Sequence, residues 1–283
     1  MKIENSRYCL EVIEKGGEIQ SFYDKEKKVE FMWQGDADFW SGKNPTLFPL
    51  VGNTYHKNYE WKGKRYAMKN HGLIRYIECE CVDHGEDYIT MEFRSNEETL
   101  KQYPFAFTYR ITYKLTGNRL DIVYHITNDG EEVMPFSFGL HPGFNCPLCE
   151  GERFEDYKLV FPVEEKVKRI VINEEKVREE DCEFKELLLN YDWLVDAATI
   201  VYRDIRSDHV DLVGPQHRIR VSAFGYPFLA FWTAKKGAPY ICIEPWCGHA
   251  DFEDVQVAFD QREGMLSLQP HKTFVTSYTI EVE

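Results

Sequence analysis

The fold class of this chain follows from residues 107–127, FTYRITYKLTGNRLDIVYHIT. Apolar and polar side chains alternate through both halves of this stretch, which is the period of a β-strand with one buried face. The four residues between the halves, Thr-Gly-Asn-Arg at 116–119, are typical of a hairpin turn. The sequence therefore predicts an antiparallel hairpin at this position.

The same pattern continues on both sides of the hairpin. Residues 88–94 and 273–282 alternate in the same way, and Asn-Asp-Gly-Glu at 128–131 is a further turn signal. Alternating strands separated by turns at intervals of about ten residues are typical of antiparallel sheets packed face to face. We expect an all-β protein, a large antiparallel β-sandwich with a few short helices. Since no repeat or low-complexity linker divides the chain, we expect one domain over residues 1–283.

Two segments are predicted to be helical. Ser95-Asn96-Glu97-Glu98 has the spacing of a capping box and predicts one short turn of helix after it. Residues 183–193 contain three consecutive leucines and are expected to form a short surface helix. The charged run at 174–181 is expected to be a solvated segment without a functional role.

Composition excludes several classes of partner. The formal net charge of −14 disfavours nucleic acid and anionic membranes, because both need a basic patch. It is neutral toward uncharged sugars and weakly opposes sugar phosphates through the long-range field. No apolar run approaches the roughly 20 residues of a membrane helix, and the first residues do not resemble a signal peptide. A cytoplasmic protein is expected, as a monomer or a homodimer.

The chain contains eight cysteines. Without an export signal we expect them to be reduced thiols rather than a disulfide framework. Cys146-Pro147-Leu148-Cys149 has CxxC spacing, but a single pair is a weak zinc signal, and the residues that follow do not begin a redox-type helix. We expect no metal at this position.

The stretch YICIEPW, residues 240–246, provides a candidate general base. Alternation places its two isoleucines on the core face and Glu244 on the opposite face, beside large aromatic residues. Desolvation there would raise the pKa of the carboxyl toward values useful in proton transfer. Pro245 is expected to end the strand, since it has no N–H for a central ladder. The alternative is a carboxylate that caps a strand end near the surface.

Residues 134–144, MPFSFGLHPGF, provide a candidate acid. The large apolar residues alternate onto one face, and Pro135, Ser137, Gly139 and His141 occupy the other. Small residues on that face leave room for a ligand against the backbone. The alternative is a structural histidine at a strand end.

A third segment, HGLIR at 71–75, follows a turn-like Lys-Asn pair. His71 offers a donor for hydroxyl groups, and Arg75 offers a planar fork for an oxygen-rich group. The alternative is a loop with a solvated arginine. Together the three segments supply one carboxylate and two imidazoles, which is an acid/base set without a nucleophile.

The order His-Gly-x-x-Arg, Phe-Gly-Leu-His-Pro-Gly-Phe, Ile-Glu-Pro-Trp resembles the aldose 1-epimerases, or galactose mutarotase-like proteins, and within them the LacX-type branch. The resemblance extends from residue 44 to the final strand. It implies a β-sandwich whose concave face binds a pyranose, without a metal or organic cofactor. It implies that Glu244 removes the proton of the anomeric hydroxyl and that His141 protonates the ring oxygen. His71 would bind near the ring oxygen and share the acid role, and Arg75 matches the arginine of the motif.

The chain departs from the family pattern at two points. Related mutarotases often have an arginine directly after the Val-Gly at 51–52, whereas this chain has Asn53. A guanidinium that contacts the ring oxygen or a substrate hydroxyl is therefore missing, unless Lys57 or Lys64 replaces it. Asparagine can still form hydrogen bonds, but it has no charge and a shorter side chain. The family aspartate that contacts a sugar hydroxyl matches either Asp204 or Asp211, and the sequence does not choose between them.

The resemblance therefore predicts an aldose 1-epimerase that interconverts the anomers of a free aldohexose, with Trp232 or Trp246 stacking on the sugar. A non-catalytic sugar-binding or sensing protein on the same scaffold is the first alternative, and it would not need a tuned Glu244. A hexose-6-phosphate mutarotase is the second alternative, based on Arg75 with a lysine partner. We favour the neutral sugar, because the motifs place only one cation where a phosphate usually collects two or more donors.

Overall fold

The computed structural model describes residues 1–172, 177–195, 199–223, 225–251 and 257–283. Within them the chain forms the strands β1 (Lys2–Glu4), β2 (Tyr8–Val12), β3 (Ile19–Asp24), β4 (Val29–Glu30), β5 (Thr46–Leu47), β6 (Asn58–Trp61), β7 (Lys64–Ala67), β8 (Glu80–His84), β9 (Tyr88–Arg94), β10 (Phe107–Thr116), β11 (Arg119–Asn128), β12 (Met134–Phe136), β13 (Gly139–Leu140), β14 (Gly143–Asn145), β15 (Lys158–Ile172), β16 (Val177–Leu188), β17 (Thr199–Arg203), β18 (His209–Val213), β19 (Arg218–Ser222), β20 (Phe228–Trp232), β21 (Tyr240–Trp246), β22 (Leu266–Leu268) and β23 (Thr273–Val282). The α-helices are α1 (Glu97–Leu100) and α2 (Tyr191–Val195), and 3₁₀ turns occur at Ile74–Tyr76, Phe154–Asp156 and Phe259–Gln261.

The predicted hairpin belongs to one large antiparallel sheet of fifteen strands. The strand order is β5-β13-β21-β20-β17-β15-β18-β19-β23-β11-β10-β9-β8, with β14 also paired to β21 and β16 to β15. The hairpin register runs from Phe107 opposite Asn128 to Thr116 opposite Arg119. The strands β1 to β4 form a smaller sheet, and β6–β7 and β12–β22 form two-stranded ribbons. The predicted all-β antiparallel sandwich is confirmed.

The core lies between the two halves of the sandwich and is rich in aromatic rings. The ring of Phe48 lies 5.0 Å from that of Phe107 on β10, and Phe138 lies 5.0 Å from Tyr124 on β11. These side chains are almost completely buried, and burial of one such ring contributes about 1.5–3 kcal/mol. The segment 134–144 and the stretch around Phe48 are thus packed onto the long hairpin strands, which hold them in place.

The capping box is confirmed one residue later than predicted. Asn96, not Ser95, caps α1, and its side chain accepts hydrogen bonds from the backbone N–H groups of Glu98 and Thr99. The hydroxyl of Thr99 accepts from the backbone N–H of Asn96 and closes the box. The side chain of Ser95 instead accepts from the backbone N–H of Phe107, at the start of β10.

The predicted helix at 183–193 is wrong over most of its length. Residues up to Leu188 belong to β16, which pairs with β15, and the helix α2 begins only at Tyr191. Phe184 packs 5.1 Å from Phe161 and 5.0 Å from Tyr202, and these cross-strand contacts outweigh the helix propensity of the leucines. The charged residues 177–181 also lie in β16, while residues 174–176 lie outside the described residues. In the described part of the chain, no helix is long and apolar enough to cross a membrane.

Candidate active site

Glu244 lies on β21, a strand inside the large sheet. The alternation is as predicted: Ile241 and Ile243 belong to the main core, and Glu244 faces the other side, opposite Ala230 of β20. Its side chain is 1% exposed. The predicted end of the strand at Pro245 is wrong, because β21 continues to Trp246. Pro245 is tolerated because it stands where the ladder changes partner, between the contacts of β21 with β14 and those with β13.

His141 lies in the short gap between β13 and β14, both of which pair with β21. Its Nε2 is 3.2 Å from Oε2 of Glu244. All three remaining polar atoms or groups of the pair are buried: apart from this contact, neither carboxyl oxygen of Glu244 nor the Nδ1 of His141 has a well-aligned hydrogen bond from any residue that the structure describes. A buried polar group without a partner costs about 1–3 kcal/mol. The unpartnered atoms of this pair therefore mark a place where a polar ligand would gain free energy.

Burial sets the protonation of this pair. It raises the pKa of Glu244 well above its usual value, and the positive charge of Arg75 opposes the rise. Burial lowers the pKa of His141 well below its usual value, and His71 and Arg75 add to this effect. Both groups are thus held toward their neutral forms.

His71 reaches the same place from the loop after β7. Its backbone has a φ of 64°, in the left-handed region, and its Nδ1 accepts a 3.1 Å hydrogen bond from the backbone N–H of Gly52. Its imidazole meets that of His141 edge to face, with ring centroids 5.5 Å apart. Burial, followed by the charge of Arg75, lowers the pKa of His71 to about 3. Glycine follows at position 72 because a Cβ there would lie 2.3 Å from the carbonyl oxygen of Phe48.

Arg75 lies in the 3₁₀ turn Ile74–Tyr76, at the rim of the site. Its guanidinium lies 5.4 Å from the ring centroid of Tyr76, and Nζ of Lys69 lies 4.8 Å from the same ring. Arg75 forms no ion pair with any residue that the structure describes. The guanidinium therefore keeps its hydrogen-bond donors available to a ligand.

Trp40 is a site residue that the sequence did not reveal. Its ring stacks on the imidazole of His141 at 4.8 Å with an interplanar angle of 29°, and it meets Trp232 edge to face at 5.4 Å. A Cβ on Gly42 would lie 2.6 Å from the ring of Trp40, and one on Gly143 would lie 3.0 Å from it. Trp40 lies in an irregular loop, so no periodic pattern distinguishes it from a core tryptophan.

These residues surround a cavity of about 420 Å³. Its lining residues are Trp40, Asn70, His71, Arg75, Tyr76, His141, Thr199, Trp232, Glu244 and Trp246. The structure thus brings together six of the seven site residues predicted from the sequence. A second cavity of about 420 Å³ lies beside Pro245 and Asp204. None of its described lining residues has a buried polar atom that lacks a partner.

The seventh residue, Asn53, is not among the lining residues. Its backbone carbonyl accepts a hydrogen bond from the backbone N–H of Asp251. Lys57 and Lys64 are exposed elsewhere and do not line the cavity either. Asp204 is exposed, and Asp211 is paired with Arg220, so the structure places neither aspartate at the site.

The room expected beside Gly139 is filled by protein. A Cβ at position 139 would lie 2.7 Å from Cδ1 of Trp246 and 2.9 Å from Cγ2 of Val51. The hydroxyl of Ser137 already accepts a hydrogen bond from the backbone N–H of Val51, so this side chain is also used within the protein. Glycine is needed here for the close approach of Trp246, and the ligand space begins only at His141.

One group of potential metal ligands comes together among the described residues. The donor atoms of His141, Cys242 and Glu244 all lie within 4.8 Å of one another. The CxxC pair has no such third donor in the described part of the chain. Cys146 is buried in the main core and Cys149 is partly exposed, both as free thiols.

Comparison with known proteins places this fold and site in a family. The sequence profile of the family described as Aldose 1-epimerase matches residues 1–281. The chain therefore belongs to the aldose 1-epimerase family, whose substrates are sugars.

Among its relatives is Protein LacX of Lactococcus lactis subsp. lactis, plasmid form, which is 27% identical over 296 residues. The alignment covers 100% of this chain and 99% of LacX. A galactose mutarotase related enzyme from Lactobacillus acidophilus superposes with a TM-score of 0.93 at 31% identity, over 100% of this chain and 97% of the other. A galactose mutarotase-like protein from Lactobacillus casei ATCC 334 superposes with a TM-score of 0.93 at 30% identity, over 100% of this chain and 99% of the other. The predicted resemblance, including its LacX-type branch, is confirmed.

Proposed function

We propose that this protein is an aldose 1-epimerase that interconverts the α and β anomers of a free, neutral aldohexose. The observation that carries the proposal is the pair of Glu244 and His141. Their facing atoms are 3.2 Å apart at the floor of the cavity, and beyond this contact neither carboxyl oxygen has a well-aligned hydrogen bond from a described residue. Acid/base ring opening needs a base that reaches the C1 hydroxyl and an acid that reaches the ring oxygen, and both of these oxygens are bonded to the anomeric carbon.

In the proposed reaction Glu244 takes the proton of the C1 hydroxyl while His141 donates a proton to the ring oxygen. The bond between C1 and the ring oxygen breaks, which gives the open-chain aldehyde. Rotation about C1–C2 presents the other face of the carbonyl, and the two proton transfers then run in reverse. The protons lost and gained balance over the cycle, so no cofactor is required.

Substrate binding would itself prepare the pair. Burial favours a neutral carboxyl and a neutral imidazole, whereas catalysis needs the carboxylate and the imidazolium. Sugar hydroxyls that donate to the two oxygens of Glu244 stabilise the carboxylate. A proton can then move to His141, where the ring oxygen of the sugar accepts it. His71, beside His141, is proposed to bind near the same oxygen and to share the acid role.

The walls of the cavity suit an uncharged sugar. Trp40 and Trp232 would supply aromatic faces for the C–H surface of a pyranose, and Trp246 lines the same cavity. Arg75 carries the only fixed positive charge among the described lining residues. We assign it to sugar hydroxyls. One observation favours a phosphate at the rim: the ammonium group of Lys69 lies over the same Tyr76 ring as the guanidinium of Arg75, so two cations are close together there.

Substrate charge is tested by comparing kcat/KM for glucose and galactose with that for the matching 6-phosphates, at low and high salt. We expect a preference for the free sugars. A preference for the phosphate that weakens as salt rises would move this chain to the sugar-phosphate mutarotases.

Catalysis is tested by NMR exchange between the anomers at equilibrium. Exchange that exceeds the spontaneous rate in proportion to protein concentration supports the enzyme. Saturable sugar binding without faster exchange would support the non-catalytic alternative. We also propose a single domain over residues 1–283, since the main core includes both Ile3 and Val282.

A further inference from the structure

Cys242 is a buried thiol that the proposed reaction does not use. It lies two residues before Glu244 on β21 and is 0% exposed, packed with Trp33 and Tyr240 beneath the cavity floor. Alternation along the strand puts its side chain on the same face as the carboxyl. Together with His141 and Glu244 of the floor, Cys242 therefore completes a group of sulfur, nitrogen and oxygen donors just below the cavity.

The spacing of these donors is close to that of a tetrahedral zinc site. Zinc–nitrogen and zinc–oxygen bonds of about 2.0–2.2 Å place two such ligands roughly 3.3 Å apart across the ion. The observed distance from Nε2 of His141 to Oε2 of Glu244 is 3.2 Å. All donor atoms of the group lie within 4.8 Å of one another, whereas a zinc–sulfur bond of about 2.3 Å requires roughly 3.6 Å between the sulfur and a neighbouring ligand atom. The donor atoms would therefore have to move closer together when the ion binds.

A second observation points to a ligand at the same atoms. Glu244 is 1% exposed, and neither of its oxygens has a well-aligned hydrogen bond from a described residue, so a cation would add to the single 3.2 Å contact with Nε2 of His141. The mixed set of S, N and O donors suits Zn²⁺, whereas Mg²⁺ and Ca²⁺ prefer oxygen alone. The cavity supplies the route of entry and leaves space for water as the fourth ligand.

We propose that His141, Cys242 and Glu244 form an inhibitory Zn²⁺ site at the floor of the cavity. The ion occupies the two groups that the proposed function assigns to proton transfer, so zinc and sugar exclude each other. Binding of zinc would release the thiol proton of Cys242, and any proton on the carboxyl of Glu244, to solvent as the zinc–sulfur and zinc–oxygen bonds form. The Nδ1 of His141 lacks the hydrogen-bond partner that usually supports a zinc ligand, and we therefore expect reversible micromolar binding rather than a permanent structural ion.

The test is a titration of the full-length protein with CoCl₂, followed by absorption. Cobalt bound by a thiolate gives a charge-transfer band in the near ultraviolet. We expect this band to saturate at one equivalent, to disappear on addition of ZnCl₂, and to be absent in Cys242→Ala. Cys247→Ala is the matched control, because Cys247 is also buried but belongs to the main core, and it should keep the band.

His141→Asn provides a second variant that does not alter the strand and should weaken cobalt binding at least tenfold. Absence of the band in the wild-type protein, or its persistence in Cys242→Ala, overturns the proposal. Because this readout does not depend on catalysis, it decides the metal site even if anomer exchange is not found. Where exchange is found, ZnCl₂ should inhibit it competitively with sugar, and Cys242→Ala should be at least tenfold less sensitive relative to its own basal rate.

Discussion

The backbone N–H of Gly52 donates a 3.1 Å hydrogen bond to Nδ1 of His71. Since Nδ1 accepts, the proton of the neutral imidazole is on Nε2, the nitrogen directed away from the Gly52 backbone. The bond thus fixes both the tautomer and the orientation of a ring that packs against His141.

His71 should make the protein sensitive to acid. Its folded pKa of about 3 lies below the usual 6.5, so the unfolded chain binds a proton first as pH falls. Stability is therefore complete above pH 6.5 and is lost progressively toward pH 3. The loss amounts to about 3 kcal/mol by pH 4, at about 1.4 kcal/mol per pKa unit.

We expect His71→Asn to lose less stability than the wild type between pH 7 and pH 4. Asparagine keeps an acceptor for Gly52 and tolerates the left-handed backbone. Urea unfolding at both pH values measures the difference, with the exposed His84→Asn as the control. Equal losses in wild type and His71→Asn would show that His71 does not titrate in this way.

Replacement of Glu244 by Gln should abolish anomer exchange, with a loss of about 10²–10⁴-fold or more, because it removes the proposed base but keeps the shape of the side chain. The fold should be retained. Its stability above neutral pH should rise, since a carboxyl with a raised folded pKa opposes folding once it must ionise. NMR exchange and thermal unfolding at pH 8 test both parts. Exchange at the wild-type rate would remove Glu244 from the proposed mechanism.

His141→Asn should lower kcat more than it raises KM, because proton donation to the ring oxygen belongs to the transition state. His71→Asn should change both constants, since His71 is proposed to bind as well as to assist. Steady-state kinetics of the two variants on one sugar make the comparison. A His141→Asn variant with a raised KM and an unchanged kcat would identify His141 as a binding residue.

Arg75→Gln should move the whole pH profile to higher pH. The guanidinium lowers the pKa of Glu244, His71 and His141, so all three pKa values rise when its charge is removed. Both limbs of a bell-shaped plot of kcat/KM should shift in the same direction. Lys69→Gln removes a cation over the same Tyr76 ring that does not contribute to these pKa shifts, and it should leave the limbs in place. Limbs that stay fixed in Arg75→Gln would contradict this electrostatic role.

Trp40→Ala should raise KM by up to about tenfold, since one aromatic stacking contact contributes about 0.5–1.5 kcal/mol. Trp40→Phe should restore much of the loss. Trp193→Ala removes a tryptophan outside the cavity lining and serves as the control. An unchanged KM in Trp40→Ala would leave Trp40 only as packing for His141.

Period-2 alternation was sufficient to predict the hairpin of β10 and β11 and the face from which Glu244 projects. It failed at residues 183–188, where local leucine content favoured a helix but pairing with β15 determines the structure. It could not identify Trp40, because a loop has no period. It also could not show that Trp246 fills the space beside Gly139, since that contact joins two strands distant in sequence.

The attachment of His141 and Glu244 to a single ladder has a consequence for how such proteins diversify. The strands on either side of His141 both hydrogen-bond to β21, so the spacing of His141 and Glu244 is set by main-chain register. Trp40 and Arg75, by contrast, stand on a loop and a single 3₁₀ turn. Insertions or exchanges in those two segments can reshape the pocket while the main-chain spacing of His141 and Glu244 stays the same. Because Arg75 also lowers the pKa of both groups, only changes that keep its charge would alter the pocket without shifting their protonation.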